Sequence, residues 1–545
     1  MSITGIINIG RTLLTASQAQ LGVTSHNIAN ANSPGYSRQE VILEVSTPLN
    51  MAQGFVGRGV TVAGIKRHYD SLLANQIVGY QQDYGKSSTL SQTLTGIEQL
   101  FNEAQNLGLS KPLTEYFNAW QGVASNPEGL TERNLLLQKS EALVLSAQRI
   151  EQGITDILKH TEEGIADITG QINSLASKIA RLNDQIIQFE AGSTGNGAND
   201  LKDQRDVLFK ELGNLVELSS WEDKTDGSLT VTVGMRTLIS GSKANTLSAV
   251  YNLEGNYSLQ LDGQDITSRI TKGEMGGLLS ARQEITGTAL YDLRKLMATL
   301  TYAVNFHHAQ GFGLDGSTGS HFFNPNELTV RNYAAEAVLT ASIPAATDPS
   351  NLNLEEYTVS FNGLSYEIYN SNTGILKTSG VYDPDGTTIN VGGIQLEISG
   401  AVTEQDSFKV SPLSTAVSHL GTAVTSAPTI AASGTLAGLP GDNTKALTLA
   451  GLLDSQLTSN SGSLADFYRG LISRIATDSR AASDELEFTD NFLNELNTRR
   501  DSISGVNLDD EAANLLRFQR AYQAGAQLIK TADEIYQTIL NILNN

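Results

Sequence analysis

Residues 504–543 read SGVNLDDEAANLLRFQRAYQAGAQLIKTADEIYQTILNIL and carry apolar side chains in two rows, each with a spacing of seven residues. The first row contains Leu508, Leu515, Tyr522, Ile529, Tyr536 and Leu543. The second row contains Phe518, Gly525, Ala532 and Ile539. Because a seven-residue repeat keeps both rows on one side of a helix, this stretch predicts a long helix of the coiled-coil type.

The first thirty residues carry a related pattern, in which Ile7, Leu14, Leu21 and Ile28 recur at intervals of seven. This spacing keeps one apolar seam along a helix of roughly 40 Å. Burying one Leu or Ile contributes about 1.5–3 kcal/mol, so each terminal row offers roughly 10 kcal/mol of association energy. We expect the two ends to pair and to leave apolar flanks for neighbouring molecules. Docking of both ends onto the body of the same chain is the alternative.

A turn motif, NIANANSPGY at 27–36, directly follows the first predicted helix. Asparagine tolerates the left-handed conformation that ends many helices, and proline disfavours helix at the residue before it. A Pro-Gly pair suits the central positions of a type II turn. The motif predicts a fixed corner between the terminal helix and an extended segment at 37–48. The corner residues are Asn27, Asn30, Pro34, Gly35 and Tyr36.

The middle of the chain alternates between helical and β patterns. Helical periodicity covers 72–215, with a glycine-rich break at 191–199, and returns at 277–310 and from about 464 onwards. Alternating apolar residues indicate strands within 221–271 and 325–412. The sequence therefore predicts an α+β multidomain fold. Its long α-helical coiled-coil or bundle core is formed by both termini, with all-β outer domains inserted.

The expected domains follow from these pattern changes. Residues 1–50 and 505–545 form a terminal coiled-coil inner domain. Residues 51–220, 272–324 and 455–504 form a helical rod or bundle domain with a small hairpin. The remaining parts are a β segment at 221–271, a β outer domain at 325–412 and a connector of low charge at 413–454.

Composition excludes several function classes. The 545 residues include 36 Lys+Arg and 58 Asp+Glu, and the net charge of -22 argues against nucleic acid and anionic membrane as partners. The absence of cysteine excludes disulfides and thiol catalysis. The amino terminus lacks the basic segment and unbroken apolar run of a secretory signal. We therefore expect a cytoplasmic protein, or one exported without a cleaved signal.

No motif in the sequence supports catalysis. Gly79 and Gly85 precede a Lys-Ser pair, but five residues separate these glycines where a phosphate-binding loop has four. His307 and His308, with His321, form the one histidine cluster, and adjacent helical residues point about 100° apart and rarely share a metal. We therefore predict no catalytic residue, no cofactor site and no metal site. The chain is not expected to be an enzyme.

Several blocks resemble one protein family. HNIANANSPGYSRQ at 26–39 resembles the amino-terminal signature of flagellar rod, hook and hook-associated axial proteins, and 504–540 resembles the carboxy-terminal signature of the hook-associated branch. Internal blocks also look familial: FVGRGVTVAGIKRHYD at 55–70, DLKDQRDVLFKELGNLV at 200–216, MGGLLSARQEI at 275–285 and GDNTKALTLAGL at 441–452. The chain is identified as a member of this axial protein family.

The resemblance implies a structural protein of the bacterial flagellum that forms the hook–filament junction by self-assembly through its terminal helices. It implies secretion through the flagellar export apparatus without a cleaved signal peptide. The implied partners are copies of itself, the hook protein, a second hook-associated protein and an export chaperone, without nucleic acid or membrane. The implied assembly interface contains Ile7, Leu14, Leu21, Ile28, Leu515, Phe518, Tyr522, Ile529, Tyr536, Ile539 and Leu543.

Two alternatives to this interpretation remain. The chain could be a hook or distal rod protein of the same family, although the SRQ and SGVNLDDEAANL blocks and the helical hairpin at 143–216 argue against it. It could also be a surface adhesin or immunomodulatory protein that uses its β insertions as binding modules.

Overall fold

The computed structural model describes residues 3–51, 54–191, 197–252, 255–334, 336–344, 347–404, 406–456 and 462–543. Across these ranges, no helix combines the length and the apolar character that crossing a membrane requires.

Long helices lie at both ends of the chain and on either side of the β regions. The helices are α1 (Ile3–Asn30), α2 (Ser71–Leu100), α3 (Ser110–Ser125), α4 (Leu130–Glu190), α5 (Asn199–Leu215), α6 (Gly273–Glu284), α7 (Leu290–Ala309), α8 (Thr444–Ala450), α9 (Leu464–Ser504) and α10 (Leu508–Leu543). A π-helical segment, Ile285–Ala289, joins α6 to α7.

The strands pair antiparallel in separate small sheets. Near the amino terminus they are β1 (Gln39–Val45), β2 (Leu49–Met51), β3 (Gly54–Val56) and β4 (Val60–Arg67). The first β insertion contains β5 (Ser219–Glu222), β6 (Leu229–Val233), β7 (Arg236–Ser240), β8 (Lys243–Ala244), β9 (Leu247–Tyr251), β10 (Tyr257–Leu261) and β11 (Gln264–Asp265). The second contains β12 (Thr329–Asn332), β13 (Val338–Ser342), β14 (Tyr357–Asn362), β15 (Ser365–Asn370), β16 (Leu376–Val381), β17 (Thr387–Val391), β18 (Ile394–Ser399) and β19 (Ser407–Ser411). Helical ends around antiparallel insertions confirm the predicted α+β multidomain class.

The chain groups into two compact units. Unit 1 comprises Met1–Thr89, Glu162–Leu279 and Ser483–Asn545, and unit 2 comprises Leu90–Thr161 and Ser280–Ala482. The rod domain expected from the sequence contributes residues to both. This follows from the core positions of α4, which buries Leu143 and Ile150 in unit 2 but Ile172 and Ile179 in unit 1. A heptad pattern alone does not reveal which core each turn of a helix joins.

The core of unit 1 lies between helices and the first β insertion. Ile165, Ile172 and Ile179, spaced by seven on α4, are fully buried. They pack with α5 and with the inward side chains of β6, where Leu229, Val231 and Val233 alternate with half-buried threonines. Burial at these positions follows the two periods read from the sequence, 3.5 for the helix and 2 for the strand.

Unit 2 contains a helical core and a β core. In the β core, one sheet has the order β12-β19-β14-β15-β16 and the other has the order β13-β18-β17. The segment 413–454, expected to be a connector, instead supplies buried side chains such as Val417, Ile430 and Leu449 to the helical core. Its low charge and many small apolar residues suit burial as well as they suit a linker, which explains the difference.

Candidate assembly interface

The terminal helices α1 and α10 pack against each other. Gly10 near the start of α1 lies beside Gly525 and Ile529 of α10, whereas Asn27 near the end of α1 bonds Glu511 in the first turn of α10. Residue numbers therefore rise along one helix as they fall along the other. The two helices form an antiparallel pair within unit 1.

Small residues set the spacing of this pair. A Cβ placed on Gly10 would lie 2.7 Å from Cγ1 of Ile529, and one on Gly525 would lie 3.2 Å from Leu14 side-chain atoms. Ala532, one heptad after Gly525, is fully buried. The close approach of the terminal helices is therefore made at Gly10 and Gly525, against the larger side chains of Ile529 and Leu14.

The predicted interface residues are only partly buried in the structure. On α1, Ile7, Leu14 and Leu21 are half-buried and Ile28 is exposed. On α10 the half-buried members are Leu515, Phe518 and Ile529, and the exposed members are Tyr522, Tyr536 and Ile539. The side chain of Leu543 lies outside the described residues. The role of this set in assembly stays a prediction.

A further apolar row on α10 was missed by the sequence reasoning. Leu528, Ile535 and Ile542 are spaced by seven and are 41%, 41% and 70% exposed. Their spacing in the sequence is the signal that could have identified them. Together with the exposed members of the predicted rows, they give α10 a wide apolar surface that α1 does not cover.

The corner after α1 contains a type II turn. The Tyr36 amide donates to the Ser33 carbonyl at 3.2 Å, with Pro34 and Gly35 at the central positions. Gly35 has φ +76°, and a Cβ there would lie 2.2 Å from Cγ2 of Val207. Glycine is therefore required at this position both by the backbone conformation and by the close approach of α5.

Asn27 ties this corner to both terminal helices. Its Oδ1 accepts hydrogen bonds from the Tyr36 hydroxyl at 2.8 Å and the Gln39 amide at 3.0 Å. Its Nδ2 donates to the Gln39 carbonyl at 2.9 Å and to Glu511 Oε2 at 3.2 Å. Burial and then the neighbouring carboxylates raise the pKa of Tyr36 above its ordinary value, so its hydroxyl keeps the proton that it donates.

The asparagines do not end α1 in the expected way. Among the described residues from 27 to 36, only Gly35 has a positive φ. Asn30 instead donates through Nδ2 to the His26 carbonyl at 3.1 Å and accepts from the Ser33 hydroxyl at 3.2 Å. The prediction of a left-handed asparagine cap is wrong, because these side-chain bonds satisfy the helix end without one.

Two buried carboxylates at the corner were also missed by the sequence reasoning. Glu511 is 1% exposed and accepts from Arg38 Nε at 2.7 Å. Asp203 accepts from the Ser37 amide at 2.9 Å and from Arg67 Nη1 at 2.7 Å. Glu511 stands one heptad before Phe518 in the second row, and a charge at a seam position was the available signal.

The acid–base chemistry of the corner is structural. Burial opposes the charged form of Arg67, but the Asp206 and Asp203 carboxylates outweigh this effect and raise its pKa. Burial raises the pKa of Asp203, and the Arg67 charge and the Ser37 amide oppose that rise. These bonds hold strand β4, α5 and the corner together, as expected of paired and hydrogen-bonded buried charges.

The sequence motifs considered for catalysis or ligand binding are parts of the folded core or of helices. Residues 79–87 lie within α2. His308 is buried, donates through Nδ1 to the Ser320 carbonyl at 2.8 Å and accepts at Nε2 from the Ala431 amide at 3.0 Å. The described ranges contain no group of three His, Asp or Glu side chains able to hold a metal ion.

Family models match most of the chain in the order of its domains. Residues 7–36 match the flagella basal body rod protein model, and 500–542 match the flagellar basal body rod FlgEFG protein C-terminal model. Residues 94–323 match the flagellar hook-associated protein FlgK helical domain, and 329–412 match the flagellar hook-associated protein 1 D2-like domain.

Curated relatives match over nearly the full length. Flagellar hook-associated protein 1 of Salmonella typhimurium is 30% identical, covering 98% of this chain and 99% of the relative. The Escherichia coli protein of that name is 29% identical with the same coverage, and the Bacillus subtilis protein is 26% identical. The solved structure of the flagellar hook junction protein FlgK from Burkholderia pseudomallei has a TM-score of 0.69 at 19% identity. That alignment covers 79% of this chain and 100% of the solved chain, and it shows a shared fold.

Proposed function

Because the chain belongs to the family of flagellar hook-associated protein 1, we propose that it forms the hook–filament junction by self-assembly through its terminal helices. It is a structural protein of the bacterial flagellum. The family consists of structural proteins of the flagellum, and the matches at both termini are to rod-protein models.

The observation that carries the proposal is the uncovered apolar surface of α10. The Leu528, Ile535 and Ile542 row and the exposed members of the predicted rows remain accessible although α1 packs against the helix. Apolar side chains that recur along an exposed face of a helix mark an interaction site. Neighbouring copies would bury it, at about 25 cal/mol per Å² of apolar area removed from water.

The same proposal gives roles to the residues predicted from the sequence. Ile7, Leu14, Leu21 and Leu515 pack within the pair and at its edges, and the exposed tyrosines and isoleucines of α10 contact other copies. Asn27, Asn30, Pro34, Gly35 and Tyr36 hold the corner through which the chain leaves the pair. Heterologous contacts between identical chains produce a helical or ring-like array, as a tubular junction requires.

The individual binding partners are inferred from the position of the family in the flagellar axis. We propose contacts with the hook protein on one side, with a second hook-associated protein on the other, and with an export chaperone before assembly. We also propose that the chain leaves the cell through the flagellar export apparatus without a cleaved signal peptide. Membership in a family of flagellar axial proteins supports this route.

A charge placed on the uncovered row tests the assembly role. Ile535→Asp should fold normally, because the side chain is exposed, but it should prevent association by placing a carboxylate in an apolar interface. We expect a deletion strain carrying this variant to have hooks without filaments by electron microscopy and to release the variant into the medium. The wild-type chain should restore filaments.

Gln523→Asp is the matched control, since it adds the same charge at an exposed polar position on α10. It should restore filaments as well as the wild type does. Normal filaments with Ile535→Asp and with Leu528→Asp would contradict the proposed interface. Matches to hook-associated models over both the helical and the D2-like domains favour the junction over a hook or distal rod role.

A further inference from the structure

A groove in unit 1 has no role in the fold or in the pairing of the terminal helices. It has a volume of about 850 Å³ and lies between the corner residues Pro34 and Gly35 and parts of α2, α4, α5 and α9. Leu175, Val207 and Leu215 give it an apolar floor. A volume of this size accommodates several side chains of a partner segment.

The charges that line the groove are mainly positive, in a chain whose net charge is -22. They come from Lys178, Lys210 and Arg500, against the single carboxylate of Glu211. Lys178 is exposed and Arg500 pairs with the adjacent Asp501.

Lys210 is the most enclosed of the three cations. It is half-buried and donates to Asn497 Oδ1 at 3.1 Å. Burial and the charge of Arg500 lower its pKa, and Asp501 opposes them. A carboxylate entering the groove would give these cations a partner of opposite charge.

The first turn of α10 has the complementary chemistry. Leu508 is 52% exposed, and the exposed Asp509 and Asp510 follow it. Asn507 Oδ1 accepts from the Asp509 amide at 3.0 Å, which caps the helix and fixes the turn. Neither carboxylate forms an ion pair with any residue in the described ranges.

The groove and this turn lie at the same end of the antiparallel helix pair. Pro34 and Gly35 follow the last turn of α1, and Leu508 begins α10, three residues before the Glu511 that bonds Asn27. Copies that pack side by side through α10 would therefore present the groove of one beside the acidic turn of the next. This continuity with the assembly surface selects a second copy as the occupant.

We propose that the groove of each copy receives the first turn of α10 from a neighbouring copy. Leu508 packs on Leu175, Val207 and Leu215, and the two aspartates face Lys178 and Arg500. The inference rests on the proposed self-assembly and adds to it a polar, directional contact. Such a contact gives orientation to an interface that the apolar rows alone would leave free to slide.

A charge swap tests the pairing in a deletion strain that carries the full chain. Lys178→Glu and Asp510→Lys should each weaken the contact between copies by about tenfold or more, because each reversal sets like charges together. The fraction of hooks that bear filaments should fall in both single variants. It should recover in the double variant, in which the charges are exchanged.

Lys224→Glu and Asp167→Lys are the matched controls, since both change exposed charges of unit 1 outside the groove. Circular dichroism of each purified variant and its amount in the medium report folding and export. Loss in both single variants with recovery in the double supports the pairing. The pairing is overturned if Lys178→Glu supports as many filaments as the wild type does. It is also overturned if Asp510→Lys has no effect while Lys178→Glu is defective, or if the double variant does not recover filaments.

The same set of variants also separates this inference from the proposed function. If the wild-type chain fails to restore filaments, or if Ile535→Asp restores them, the proposed junction role fails. If the wild type restores filaments, Ile535→Asp does not, and the swap gives one of the overturning results, only the groove pairing fails.

Discussion

At the scale of single residues, Glu511 decides how the terminal helices meet. Its carboxylate is buried at a seam position between α1 and α10, and it is paired with Arg38 and Asn27. A buried charge that keeps its partners in only one alignment disfavours every other alignment of the two helices. Sliding α10 by one heptad would leave Glu511 without these partners.

Glu511→Gln should therefore weaken the helix pair while preserving its shape. Loss of the charge-assisted bond to Arg38 should cost about 1.5–3 kcal/mol of local stability. Hydrogen exchange of the α10 amides in the purified full chain measures this loss. Glu534→Gln, an exposed change on the same helix, should leave exchange unaltered; equal exchange in both variants would contradict the argument.

His308 gives unit 2 a predicted dependence on pH. Burial lowers the pKa of His308 from 6.5 to about 4, and the charges of His321 and Arg133 act in the same direction. The hydrogen bond to the Ser320 carbonyl opposes this shift. Because the folded-state pKa is depressed, the stabilisation is present above pH 6.5 and is lost as the pH falls from 6.5 towards 4. The free energy of unfolding should fall by up to about 1.4 kcal/mol per pH unit from this group.

Denaturant unfolding of the wild type and His308→Gln across this pH range checks the prediction. The variant should be less stable at pH 7, since it cannot repeat both ring hydrogen bonds, and its stability should vary less between pH 6.5 and 4. Carboxylates that titrate in the same range contribute to both proteins, so the difference between the two slopes isolates the histidine. Equal slopes would show that His308 binds its proton equally well in both states.

At the scale of elements, the spacing of α1 and α10 depends on glycine. Gly10→Ala would bring a methyl group against Ile529, so we expect α10 to be displaced and its amides to exchange faster. Gly22→Ala is the matched control on the same helix, because a Cβ there has no neighbour within 4 Å. That change should stabilise α1 by about 0.5–1 kcal/mol. Slower exchange in Gly10→Ala would refute the close approach.

Elements with a strict apolar repeat could be predicted from the sequence, and the reason is physical. Ile172 and Ile179 on α4, and Val231 and Val233 on β6, have a single face to bury, so period and burial coincide. The terminal pair differs, because α10 carries neighbouring apolar rows and only contacts decide which row its partner covers. The covered row contains Gly525 and Ala532, two small residues that the repeat included but that the predicted set of interface residues left out.

The corner shows the same limit on a smaller scale. Pro34 and Gly35 could be predicted as a type II turn, because proline fixes φ at the first central position and glycine permits the positive φ at the second. The partners of Asn27 could not, since Glu511 lies 484 positions away in the chain. A long-range polar network leaves only a weak trace in sequence, namely a charged residue at a position where the repeat calls for an apolar one.

At the scale of the whole molecule, folding and assembly depend on different residues. The buried clusters of the helical and β cores described above include no residue of α10 among those the structure describes. Removal of 508–545 should therefore leave these three cores intact and expose the facing side of α1. The truncated chain should keep its main unfolding transitions in a thermal scan.

The same truncation should abolish the junction. Hooks in a deletion strain that carries the truncated chain should end without filaments, since both the apolar rows and the turn at 508–510 are gone. Gln523→Asp in the full-length chain controls for an altered but present helix. If the truncated chain fails to fold, the missing helix contributes to the cores after all. If filaments grow on such hooks, the terminal helices do not build the junction, because the remaining residues would then suffice for assembly.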